Sequence, residues 1–143
     1  MPKILLIDDS AELCNGLAEI FRDEGYLVDN TSDSGNGAIL IKKNRYDVGI
    51  FDYKMKGLNG IDLLKMIKGV NPQCPVFIVS ADSSINWLIK KEKLAGLVAG
   101  IISKPFNIVE LLQKIKSIEQ TGAGLEVVSE PDSKMVKKRR VSQ

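Results

Sequence analysis

Short apolar runs separated by longer amphipathic stretches set the rhythm of this chain. Ile4–Ile7, Val48–Phe51, Val76–Val79 and Leu97–Ile102 (the last interrupted by Ala99 and Gly100) are four to six residues long and rich in Ile and Val. Runs of that length, apolar on successive rather than alternate positions, predict parallel strands covered on both faces. A weaker strand, YLVDNTS, follows Gly25. Between the strands lie helical spacings. Leu13, Leu17, Ile20 and Phe21 share one face, and Gly25 stops that segment. Ile61, Leu64 and Ile67 form a second stripe that ends near Gly69 and Pro72. Ile108, Leu111, Leu112, Ile115 and Ile118 form another, with Asn107 as N-cap. Ala38–Lys43 and Ile85–Leu94 are shorter and less regular. Strand and helix thus alternate five times, which predicts an α/β sandwich around a parallel sheet.

The pattern stops after Gln120. Residues 1–120 hold 15 Lys/Arg and 15 Asp/Glu, so a neutral domain over 1–120 is expected, with the net charge of +2 carried by residues 121–143. That segment mixes Gly, Ser, Pro and charge without periodicity and reads as a basic C-terminal tail or linker. Its KKRR run suits either plain solvation or contact with nucleic acid or an acidic partner. The neutral body gives no field that favours nucleic acid or membrane. Cys14 and Cys74 are not in a C-x-x-C spacing and the chain has no His, which disfavours zinc; both thiols read as reduced and buried. No apolar run reaches the roughly 18 residues of a membrane span, and the start MPKILLIDD turns acidic too soon for a signal peptide, so a cytoplasmic location is expected.

The candidate chemistry lies just past each strand, because open parallel sheets bind ligands at the carboxyl ends of their strands. Asp8, Asp9 and Ser10 follow the first strand, Asp52 the third, Ser80, Ala81 and Asp82 the fourth, and Ser103, Lys104 and Pro105 the fifth. Clustered carboxylates repel one another and call for a cation. Oxygen ligands without His or Cys suit Mg²⁺. With Lys104 and a hydroxyl added, such a rim is built for a phosphoryl group, and a carboxylate is a competent nucleophile toward phosphorus. Ala81 contributes by being small. Taken singly, these residues have plain readings as well: Asp8 as N-cap of the first helix, Ser80 as a loop hydroxyl, Lys104 as a surface lysine. Gly57, Asn59 and Gly60 read as turn chemistry and Trp87 and Phe106 as packing residues.

Four motifs, LIDDS (6–10), IFDYKMKGLNG (50–60), IVSAD (78–82) and ISKPF (102–106), are each weak alone but specific in this order and spacing. Over about residues 3–119 the chain resembles the receiver domains of two-component response regulators. The resemblance implies a flavodoxin-like, doubly wound five-stranded parallel sheet of order 2-1-3-4-5 between two helix layers. It implies Asp52 as phospho-acceptor, Asp9 as direct Mg²⁺ ligand with Asp8 acting through water, and the Lys54 backbone carbonyl as a further ligand. It also implies Ser80 and Lys104 as partners of the phosphoryl oxygens, and a cis Lys104–Pro105 bond. The implied function is a signalling switch, not an enzyme beyond its own phosphotransfer and aspartyl-phosphate hydrolysis. It is charged by a histidine kinase or phosphotransfer protein and read by an output partner, or a second copy, through the face of the fourth helix, fifth strand and fifth helix.

Two departures from the family pattern stand out. Lys56 replaces the usual Pro, and Ile101 occupies the place of the aromatic switch residue. The second keeps open a phosphorylation-independent interaction module. Lys54, where an Asp-nucleophile phosphatase needs a second Asp, disfavours that enzyme. Leu40, where G-x-G-x-x-G needs its third Gly, disfavours a nucleotide site in SGNGAIL. Lys54 and Asp82 are expected to pair across the mouth of the site.

Overall fold

The computed structural model describes residues 2–120. The expectations for residues 121–143, a tail or linker and the KKRR run, lie outside the described residues. The elements are β1 (Lys3–Ile7), α1 (Ala11–Asp23), β2 (Leu27–Thr31), α2 (Ser34–Lys43), β3 (Val48–Asp52), α3 (Gly60–Val70), β4 (Val76–Ser80), α4 (Ser84–Lys91), a 3-10 turn (Ala95–Leu97), β5 (Gly100–Ser103) and α5 (Ile108–Gln120). All pairings are parallel and the strand order is β2-β1-β3-β4-β5. This is the flavodoxin-like architecture, with helices on both faces.

Strand alternation splits the core in two. Ile4 and Leu6 of β1 point into a cluster with Leu17 and Phe21 of α1 and Leu111 and Ile115 of α5. Leu5 and Ile7 point the other way, among Ile41 of α2, Leu63 and Leu64 of α3 and Ile85 and Ile89 of α4. Each fully buried aliphatic side chain contributes roughly 1.5–3 kcal/mol, so the central strands are anchored at every position. Both thiols are free and buried, Cys14 in the first cluster and Cys74 in the second. Phe106 packs, half-buried, against the first cluster, as expected.

The structure differs from the sequence pattern at four places. Trp87 is not a packing residue: it is 62% exposed, with the Lys91 ammonium 4.7 Å above its ring. Ile85 and Ile89 take the inward face of α4, and a residue two along from Ile85 is turned away from it. The helix of Ile85–Leu94 ends at Lys91, where Lys93 enters the left-handed region (φ 59°) and the Leu94 N–H reaches back to the Ile89 carbonyl. The last strand starts at Gly100, not Leu97, because Ala95–Leu97 forms the 3-10 turn. Helix α2 starts at Ser34, four residues before Ala38, because Asp33 accepts from the Asn36 N–H as N-cap. The glycine at 37 lets α2 lie on β1, since a Cβ there would sit 2.5 Å from Ile7 Cδ1.

Candidate functional site

The carboxyl ends of β1, β3, β4 and β5 surround an open cleft of about 750 Å³, lined by Asp8, Asp9, Asp52, Lys54, Ala81 and Lys104 among others. The topology makes this rim: every strand is parallel, so each strand delivers the residues after it to the same edge. All the expected site residues are brought together here. Asp8 and Asp52 are buried, with Asp52 7% exposed, while Asp9, Lys54 and Ala81 are exposed at the mouth. The small Ala81 side chain keeps the approach to Asp52 open.

Lys104 bridges the two buried acids. Its Nζ lies 3.2 Å from Asp8 Oδ2 and 3.3 Å from Asp52 Oδ2. Its backbone N–H donates to the Ser80 carbonyl at 2.9 Å, and the cis Lys104–Pro105 bond turns the chain immediately afterwards. Burial pushes the Asp52 carboxyl above the usual carboxylate range, and the Asp8 charge adds to this. The Lys104 ammonium and the Asp9 backbone N–H pull it down without cancelling the rise. Burial draws the Lys104 ammonium down in turn, but the two carboxylates outweigh it and hold it above its usual range.

Asp8 does not cap α1 through its side chain. Ser10 is the N-cap, accepting from the Leu13 N–H, while Asp8 Oδ1 accepts from the Ser10 N–H. That bond fixes the Asp8 carboxylate at the cleft floor. Ser80 is buried, and its Oγ donates to the Asp82 carbonyl at 3.2 Å while accepting from the Asp82 N–H at 3.0 Å. Lys54 and Asp82 both line the cleft, but no direct ion pair joins them among the described residues. Asp82 instead accepts from the Ser84 N–H at 2.9 Å, which, with a smaller pull from Lys54, holds its carboxyl below the usual range.

Among the described residues, no three carboxylates converge on one point as a preformed metal cage. Mg²⁺ does not require one, since it keeps several waters and takes one or two carboxylates. The cleft is lined by four carboxylates, Asp8, Asp9, Asp52 and Asp82, against the ammonium groups of Lys54 and Lys104, so it carries excess negative charge. The Lys54 carbonyl accepts no hydrogen bond from another described residue. The donor set therefore fits a hard, oxygen-seeking cation.

The loop after Asp52 is pinned at both ends. The Tyr53 N–H donates to the Val79 carbonyl, and the Gly60 N–H to the Tyr53 carbonyl. Gly60 must be glycine, because a Cβ would stand 2.7 Å from the Asp52 carbonyl oxygen. Asn59 and Asp62 form a reciprocal capping box that starts α3. The sequence reading missed Ser34, a buried hydroxyl that grips this loop from α2. No local motif announces it, since its partners lie 22 and 24 residues away.

Residues 4–116 match the family model of the response regulator receiver domain. Chemotaxis protein CheY-3 of Vibrio cholerae is 33% identical over 81% of this chain and 90% of its own length. The solved Francisella response regulator 1452 receiver domain superposes with a TM-score of 0.73 at 33% identity, covering 84% of this chain and 98% of that one. Against the probable transcriptional regulatory protein TcrX of Mycobacterium tuberculosis, 25% identical over 80% of this chain, the match spans 48% of the relative. The chain thus covers about half the length of TcrX and of the two-component response regulator PhoP of Pseudomonas aeruginosa.

Proposed function

The chain belongs to the response regulator receiver family, and from that premise we propose that it is a phosphorylation-dependent switch whose phospho-acceptor is Asp52. Receiver domains are signalling domains of two-component systems. One observation carries the assignment to Asp52: a buried carboxylate at a strand end, beside a second acid and one lysine, open to solvent past Ala81. An ionised group so placed is costly unless it is paired, and here one lysine is shared between two buried acids.

The donor would be a phosphohistidine that lies outside these 143 residues, which contain no His. A histidine kinase or a phosphotransfer protein would supply it. An Asp52 Oδ forms the new bond to phosphorus, the P–N bond breaks, and the imidazole leaves and takes up a proton. Asp9 and Asp52 with the Lys54 carbonyl would hold Mg²⁺, Asp8 acting through water, and the bound cation would offset charge on the phosphoryl oxygens. Lys104 exchanges its contact with the Asp52 carboxylate for a phosphoryl oxygen. The Ser80 hydroxyl leaves the Asp82 carbonyl to donate to another. Hydrolysis by water, with Lys54 and Asp82 at the mouth, resets the switch.

The movement of Ser80 and Lys104 biases the α4–β5–α5 face, which an output protein or a second copy reads. Exposed Trp87 lies on α4. Ile101 on β5, half-buried against the α4 cluster, favours one other reading: a module that binds its partner without phosphorylation. Intact-mass measurement after incubation with acetyl phosphate and Mg²⁺, beside Asp52→Asn, separates the two. One added phosphoryl group on the parent and none on the variant is expected; no addition on either favours the unphosphorylated module.

A further inference from the structure

We propose that Ser34 is a positioning residue for the phosphoryl site, holding the β3–α3 loop in the shape that presents the Lys54 carbonyl. The inference rests on the Mg²⁺ reading above and extends it to a residue outside the cleft. Ser34 is the first residue of α2 and is buried. Its Oγ donates to the Lys56 carbonyl at 2.8 Å and accepts from the Leu58 N–H at 3.0 Å. Between those two groups, Gly57 adopts φ +80° and passes so close that a Cβ there would lie 3.0 Å from the same oxygen. One hydroxyl therefore closes a turn that the loop does not close for itself.

No other backbone hydrogen bond from residues 54–58 to a described residue exists. The loop base is fixed by Tyr53 and Gly60, and α3 by its own capping box; the stretch carrying the Lys54 carbonyl packs Met55 and Leu58 against the second core cluster and takes its hydrogen bonds from Ser34. Ser34 is itself held firmly. Asp33 caps α2, Thr31 Oγ1 accepts from the Asp33 N–H, and Asn36 Nδ2 donates to Thr31 Oγ1. Thr31 ends β2, level with Ile7 at the end of β1. The clamp thus ties the loop to the same sheet rim that carries Asp8. Groups that orient a metal ligand from behind commonly matter almost as much as the ligand.

Calorimetric titration of the full chain with MgCl₂ alone tests this, beside amide exchange at Leu58. Ser34→Ala should weaken Mg²⁺ binding roughly tenfold and speed Leu58 exchange about tenfold as the turn opens. Ile115→Val, in the core cluster on the opposite face of the sheet from the Ser34 clamp, should cost stability and leave Mg²⁺ affinity at the parent value. Ser34→Ala with parental affinity, whether or not Leu58 exchanges faster, overturns the role. So does an equal loss of affinity in Ile115→Val, which would mark a general effect of lost stability. A parent protein that takes up no Mg²⁺ overturns the metal reading itself, and the positioning role with it, before any substitution is made.

Discussion

The Lys104 ammonium stands 3.3 Å from Asp52 Oδ2 and is the only positive group in direct contact with it among the described residues. Because the same nitrogen also meets Asp8, one charge serves two buried acids. The acids repel each other through the space the lysine occupies. The pocket is therefore electrostatically tense by construction, and a phosphoryl group with its cation would find the lysine already in reach.

Removing that charge while keeping the side-chain length is the direct test. Lys104→Met should destabilise the protein by about 1–2 kcal/mol, less than for a fully enclosed pair because the cleft admits water. Adding Asp8→Asn should return most of the loss, since the repulsion then has one partner fewer. A double-mutant cycle by urea denaturation in metal-free buffer measures both, and strictly additive effects would contradict the shared-charge geometry.

The raised Asp52 carboxyl has a definite pH signature. Its folded form holds the proton more tightly than the unfolded chain, so protonation favours folding. The stabilisation is full below the unfolded value near 3.8 and is lost as pH rises through the folded value. Asp52→Asn removes the penalty of ionisation. Without divalent cations, the variant should gain stability over the parent as pH climbs from 4 towards 7, as followed by urea midpoints across that range. A constant difference would mean that Asp52 is not strained by its surroundings.

The legibility of the fold and site follows from the range of the forces involved. Asp8, Asp9, Asp52, Ser80 and Lys104 are readable because each lies within two residues of the end of an apolar run, and parallel strands bring such positions to one rim. Ser34 was not, because its hydroxyl acts across the packing of α2 against the β3–α3 loop, and SDSGNG looks like a turn when read locally. The Lys54–Asp82 pair was over-read for the opposite reason: the nearer Ser84 N–H captured the carboxylate. Trp87 shows a third case, in which helix phase, set by Ile85 and Ile89, overrides the habit of burying a large aromatic.

The glycines separate sites that need the absent side chain from sites that do not. Gly16 in α1 and Gly69 in α3 would meet nothing within 4 Å, and Ala at either position should stabilise by about 0.5–1 kcal/mol through better helix propensity. Gly60→Ala pushes a methyl into the Asp52 carbonyl and should cost about 1–3 kcal/mol. Thermal unfolding of the three single variants gives the ranking. Stabilisation by Gly60→Ala would mean that the loop after Asp52 has more room than its geometry allows.

Lys54 offers the last prediction, on the lifetime of the phosphorylated state. It does not touch Asp82, yet it lies close enough to favour that carboxylate's charge. Its effect at the mouth is thus carried through solvent rather than by a bonded pair. A charge acting through solvent between exposed groups is weak, so Lys54→Ala should shorten the aspartyl-phosphate lifetime by no more than about fivefold. The same change should fade at roughly 1 M salt, where screening acts within about 3 Å. Decay of the phosphoprotein, followed by mass spectrometry at low and high salt, reads both. A lifetime unchanged by Lys54→Ala removes the lysine from the mechanism. A loss that persists in high salt makes its role steric, an exposed stem standing in the path of the attacking water.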